Sequence, residues 1–296
     1  MDNSQQTIEQ FANSMRAQGK QPATIESYCR DAKRFLAYLA DQGQPALSAQ
    51  AENLNQFQKH VLEIDSGKEN SVRRAVIGVR QFYRYLADSK QIMSSPFDDV
   101  AIPQRNESLP DKSRIENVAK LLELRFGKAQ QGLRFARDTA ILALLALEGL
   151  KTSELISLDW SDFVFGVDGA TVRIAGTRNR VIELCPQTVA AVLHYKDYIQ
   201  TDARFLKTDL AKARVFVAFK GRDSSIPLPK MTRHGLKFII YEIGESFGLK
   251  YANAELLRHH AVEFQLASGK SPEQIMQHFG LRRLGNIKKH AAVLTH

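Results

Sequence analysis

From the N-terminus, apolar positions Ile25, Tyr28, Phe35, Leu36 and Leu39 fall at the spacing of one helix face, with Pro22 and Thr24 where a helix begins and Gly43 where it ends. A second stripe runs through Val72, Val76, Val79, Phe82, Tyr83 and Leu86, and weaker ones cover 5–18 and 48–63. No strand-like alternation competes, so the first hundred residues predict a bundle of four or five helices. Residues 94–112, SSPFDDVAIPQRNESLPDK, hold three prolines and little periodicity, which predicts an extended linker and a domain boundary near 105. Helical patterns follow at 113–126 and 132–148. The stretch DFVFGVDGATVRIAGTRNRVIEL then alternates β-formers with Gly, Asp and Asn, as a small antiparallel sheet with tight turns does. Helical spacing returns at 187–200, 230–246, 253–267, 271–278 and 284–293. The expected fold is mainly α with a small antiparallel β-sheet, in two domains, 1–105 and 106–296.

Composition adds that the chain is globular: 44% of its 296 residues are hydrophobic and 25% charged. The longest apolar run, Ala140 to Leu147, is far short of the roughly 20 residues that span a bilayer. The N-terminus lacks the basic, apolar and cleavage-site sequence of a secretory signal, so a cytoplasmic, nucleoid-associated protein is expected. Cys29 and Cys185 lie far apart with no metal-type spacing and read as reduced, buried fillers. No metal or cofactor is expected.

The net charge of +9 points to an anionic partner, and its distribution sharpens that reading. Residues 1–105 carry +1 (13 basic against 12 acidic), which leaves +8 for 106–296 (28 against 20). Much of the surplus lies in three stretches: Arg173, Arg178 and Arg180; Lys212, Arg214, Lys220 and Arg222; and Arg282, Arg283, Lys288 and Lys289. The competing reading of any one stretch is a solvated face.

Local strings go further. PATIESYCRDAKRFLAYL and SVRRAVIGVRQFYRYLAD resemble the N-terminal core-binding, SAM-like domain of the tyrosine recombinases, the phage integrase family. ILALLALEGLKTSELISLDWSDF resembles the segment that carries that family's first catalytic arginine, and ELLRHHAVEFQLASGKSPEQIMQHFGL the block with its second. The strings span nearly the whole chain in the family's order. The resemblance implies an N-terminal helical bundle, a C-terminal catalytic-type domain and double-stranded DNA as partner. It also implies a cleavage chemistry in which a tyrosine attacks the phosphodiester while two arginines, a hairpin lysine and two His (or His and Trp) positions stabilise charge and move protons.

Position by position, the set is depleted. Lys151 stands at the first arginine, exchanging a planar fork of donors for a point charge. The hairpin stretch GTRNR has no lysine, and arginine is a poor proton donor at neutral pH. The second arginine matches Arg258, but Glu255 stands three residues before it where the family has His. The next His or Trp position falls on Leu281, and the nucleophile's place is taken by His290; no tyrosine follows Tyr251. Only Arg258 of six positions remains.

The expectation is therefore a pseudo-recombinase that binds duplex DNA as a regulatory, architectural or accessory factor, not an enzyme. The rival readings are a recombinase with rearranged chemistry and a protein-interaction module that has lost DNA. His290 as a substitute nucleophile lacks both an acid and charge stabilisation. His259 and His260 point about 100° apart on a helix, unlike an i, i+4 metal pair. Candidate DNA contacts are Lys151, Arg178, Arg180, Arg258, Arg282, Arg283, Lys288 and Lys289, with Arg74, Arg80 and Arg84 along one N-terminal helix. A clamp closing two domains around a duplex would use such residues on phosphates. Glu154 is expected to be a buried hydrogen-bond partner near a helix start. The chain stops six residues after His290, too short for a helix docking in trans, so a monomer or weak dimer is expected, with an active recombinase or another protein as candidate partner.

Overall fold

A computed structural model describes residues 3–65, 69–104, 109–128, 132–176, 178–219, 227–228 and 230–294. The chain divides into two compact units, Met1–Glu107 and Ser108–His296.

The first unit holds four α-helices: α1 (Asn3–Ala17), α2 (Pro22–Asp41), α3 (Ala51–Ile64) and α4 (Glu69–Asp88), with a 3-10 turn at Ala46–Ser48. Pro22 occupies the first turn of α2, where its missing N–H costs nothing. Both predicted stripes face the core: Ile25, Phe35 and Leu39 of α2 and Val72, Val76, Val79, Phe82 and Leu86 of α4 are buried. Phe35 sits at the centre, with the rings of Phe57, Tyr83 and Phe97 edge-on to it at 5.0, 5.8 and 5.5 Å. Phe97, within the proline-bearing stretch, is fully buried, so that stretch begins as part of this core.

The second unit is built around α6 (Leu133–Ala146), which is buried without a break from Thr139 to Ala146. That explains the apolar run: a central helix has no solvent face. Against it pack α5 (Lys112–Gly127), α8 (Pro186–Thr201) and α10 (Ala254–Ala267), and α9 (Arg233–Ser246) adds Leu236, Ile240 and Ile243 to the same core. Helix starts follow local chemistry: the side chains of Asp111, Thr232 and Asn253 accept from first-turn amides of α5, α9 and α10. The chain ends in α11 (Pro272–His278) and α12 (Gly285–Leu294).

The predicted sheet is present, with β1 (Phe163–Phe165), β2 (Ala170–Ile174) and β3 (Arg180–Glu183) in sequential antiparallel order. Val172 pairs with Ile182 on the buried side, and Ile174 with Arg180 at the hairpin mouth. The helix start expected near Glu154 is the one-turn helix α7 (Thr152–Leu155); 3-10 turns at Trp160–Asp162 and Leu210–Lys212 and a second small antiparallel pair, β4 (Ala218–Phe219) with β5 (Pro227–Leu228), were not anticipated. Lys220 and Arg222 lie outside the described residues. Cys29 and Cys185 are free and half-buried rather than buried. No helix of the described residues is long and apolar enough to cross a membrane, and those residues hold no cluster of three metal-ligating groups.

Candidate nucleic-acid interface

In the second unit, α7, the β2–β3 hairpin and the α11–α12 turn meet around an open cleft of about 510 Å3. Its walls include Lys151, Ser153, Ser157, Gly176, Arg178, Leu281 and Arg282. Lys151 caps α7, and its backbone N–H donates to the Glu154 carboxylate at 2.9 Å. At the hairpin tip, the Gly176 N–H donates to Asn179 Oδ1 and so tightens the turn that presents Arg178. Arg178 spends one donor on the Leu281 carbonyl at 2.7 Å. Arg282 and Arg283 are exposed and form no ion pair with a described residue. Lys288 and Lys289 are exposed on α12.

Beneath these groups lies a buried ionic joint. Arg180 donates to both Glu154 oxygens at 3.0 and 3.1 Å and, through Nε, to the His278 carbonyl at 2.6 Å. Both side chains are about one-tenth exposed. Arg180 therefore ties α7 to β3 and α11 and is spent within the protein, unlike its neighbour Arg178. Burial pushes the Glu154 carboxyl up, but hydrogen bonds from Arg180 and the Lys151 amide outweigh it and hold the group below the usual carboxylate range. The expected role of Glu154 as an internal acceptor matches this geometry. At Gly280, in the left-handed region at φ +60°, an added Cβ would meet the Arg180 guanidinium at 2.9 Å. The one Glu154 carboxylate is shared by Arg180 and by Lys151, whose Nζ lies 3.6 Å from it, so this group keeps one net positive charge, to which Arg178 and Arg282 add.

Arg258 is half-buried, and its Nε donates to the Gly149 carbonyl at 3.0 Å. Its guanidinium stands 5.9 Å from the Phe279 ring centre, and that ring lies against Gly149 where a Cβ would come within 2.3 Å. Burial lowers the Arg258 pKa from its ordinary value. Glu255 is exposed in the first turn of α10. Leu281 is half-buried and packs with Leu284 against the apolar cluster of α10 to α12.

His290 is fully buried. Its Nε2 lies 2.8 Å from His259 Nδ1 and its Nδ1 3.0 Å from Glu263 Oε1. Burial drives its pKa down to about 4. His260 turns the other way, its Nδ1 2.8 Å from the Ala146 carbonyl, so the adjacent histidines serve separate contacts.

In the first unit, the three candidate arginines of α4 have internal partners. Arg74 makes a two-point contact with the buried Asp31 carboxylate at 2.8 and 3.0 Å. Arg80 donates to the carbonyls of Asp98 at 2.6 Å and Val100 at 2.9 Å, and Arg84 bonds the Asp98 carboxylate at 2.8 Å. Arg74 and Arg84 are thus charge-compensated, while Arg80, held by neutral carbonyls, keeps its charge.

Sequence reasoning did not find Ser153, Ser157, the inward turn of Arg180 or the contact between His259 and His290. An arginine two residues from a hairpin tip reads the same in sequence whether it points in or out.

Residues 7–92 match the family "Phage integrase, N-terminal SAM-like domain". Along most of its length the chain is similar to the tyrosine recombinase XerD of Halalkalibacterium halodurans, 26% identical over 95% of this chain and 90% of that protein. The tyrosine recombinase XerC of Pelobacter propionicus is also 26% identical, over 92% and 85%. Among solved structures, the XerH site-specific recombinase bound to a palindromic difH substrate shares the fold with a TM-score of 0.69 at 13% identity, over 99% of this chain and 82% of that one. The Tn1549 transposon integrase in complex with circular intermediate DNA gives 0.67 at 14% identity, over 98% and 99%. The chain is thus similar to tyrosine recombinases along about nine-tenths of its length, with a phage-integrase SAM-like domain at residues 7–92 and the fold of solved recombinases.

Proposed function

We propose that this protein binds double-stranded DNA without cutting it, as a catalytically inactive recombinase-like regulatory, architectural or accessory factor. The observation that carries this reading is the contrast between the cleft and what lies behind it. The cleft keeps Arg178 and Arg282 on its wall beside Lys151, which shares Glu154 with Arg180, while the position of the family's nucleophile holds a buried imidazole bonded at both nitrogens. Cations on an open wall suit phosphates, whose contacts give affinity and salt dependence with little sequence reading. Strand cleavage asks in addition for a nucleophile that reaches phosphorus and an acid for the leaving oxygen. His290 is sealed from solvent, Glu255 brings negative charge to the site, and Leu281 carries no proton. Arg258, the one retained member of the set, is engaged by the Gly149 carbonyl. Relatives named as recombinases, and neighbours solved with DNA, favour DNA as the partner.

Two measurements test the proposal. Incubation with a nicked suicide duplex followed by denaturing electrophoresis is expected to give no covalent protein–DNA adduct; an adduct overturns the inactive reading. Duplex affinity is expected to fall steeply between 50 and 200 mM salt, values chosen to span the usual electrostatic range. Absence of binding at low salt overturns the DNA reading and favours a protein-interaction module.

A further inference from the structure

Behind the cleft, Glu263, His290 and His259 form a row that joins α12 to α10. We infer that this row is an acid-operated latch: α12 stays docked while the row carries at most one added proton and comes away when it carries two. The inference rests on hydrogen-bond geometry and is independent of whether the protein binds DNA.

In the neutral row the protons have one consistent placement. His290 Nδ1–H donates to Glu263, which leaves His290 Nε2 as an acceptor and requires His259 Nδ1–H to donate to it. One further proton is tolerated, because an imidazolium at either histidine can still place a single hydrogen between the two rings. A second proton on the rings puts an N–H on both nitrogens that face each other at 2.8 Å, and one taken instead by Glu263 removes the charge that anchors His290. Between the rings the bond becomes a clash of like charges, and the His290 ring, fully buried, has no water to turn to.

The surroundings do little to offset that. The charged and titratable groups facing the row are Glu255, Arg258 and His260 of α10 and Lys112 and Glu116 of α5. Their charges oppose one another. Ile275 and Met276 of α11, and Phe279 just after it, join Ile287 of α12 in one apolar cluster. Glu263 itself is raised above the usual carboxylate range by burial, so acid also weakens the acceptor that anchors the row. Ile287 is the one fully buried apolar residue among those of α12 whose burial is described. A ten-residue helix has little stability of its own, so it is held by what it docks against, this row included.

The test is hydrogen–deuterium exchange on the full chain at pH 7 and pH 4.5, with intrinsic exchange rates divided out. Protection of α12 amides is expected to fall at least tenfold at the lower pH while α6 keeps its protection. His290→Gln, whose amide can donate to Glu263 and accept from His259 without titrating, is expected to keep α12 protected at pH 7 and to diminish the acid response to the part that Glu263 supplies. If Gln at 290 does not support docking at pH 7, His259→Gln is compared in its place, since it too leaves a single titrating ring. Unchanged protection of α12 in the wild type, simultaneous loss in α6, or an undiminished acid response in the compared variant each overturn the latch.

Discussion

Replacing Glu154 by Gln removes one charge from the joint beneath the cleft and leaves the Arg180 guanidinium buried opposite a neutral amide. The joint is about nine-tenths buried on both sides, so solvent screens it little. Breaking such a pair from one side costs about 3–5 kcal/mol, because the remaining charge is uncompensated. Arg180 keeps its bond to the His278 carbonyl, which places the expected loss near the lower end, about 3 kcal/mol. For a unit of this size, residues 108–296, that lowers Tm by roughly 6–12 °C. Denaturant unfolding of Glu154→Gln, Arg180→Met and the double variant completes a thermodynamic cycle. The double variant is expected to recover most of the loss, since the stranded charge is gone. A loss under about 1 kcal/mol for Glu154→Gln, or a double variant no more stable than the single, refutes the argument that this pair is an internal tie. Duplex binding adds a second readout: Arg180→Met is expected to leave the salt slope unchanged, and a reduced slope would make Arg180 a phosphate contact.

Replacing both Arg178 and Arg282 with Ala is expected to reduce the slope of log affinity against log salt by about 1.8, measured by fluorescence anisotropy on a duplex. His290→Tyr by itself is expected to give no covalent adduct on a nicked duplex and to lower thermal stability, because the larger ring enters a filled site and removes the two ring nitrogens that bond His259 and Glu263. The Glu154 carboxyl is held below its ordinary value of 4.5, so its contribution is full above that pH and fades as the pH falls through the folded value; a stability profile of Glu154→Gln is expected to be flatter than wild type on the acid side. Gly149→Ala is expected to destabilise by about 2 kcal/mol or more in denaturant unfolding, since Gly149 has φ +67° and a Cβ there meets the Phe279 ring at 2.3 Å.

The amino-acid sequence alone determined the helical bundle, the helix carrying the Ala140–Leu147 apolar run and the small sheet, because periodicity, turn chemistry and residue identity are local properties. Val72 to Leu86 could line only one face of a helix, and a histidine at 290 is not a tyrosine in any fold. The tertiary structure decided which charges remain available. Arg178 and Arg180 are two residues apart and chemically identical, yet one reaches the cleft and the other is locked to Glu154 and His278. Arg74, Arg80 and Arg84 share a helix, yet two meet carboxylates and one meets carbonyls. His290 looked like a polar residue on a terminal helix and is instead enclosed and bonded to groups 27 and 31 residues away. Whether a charge faces solvent or a partner depends on contacts between segments distant in the chain, which no local pattern encodes.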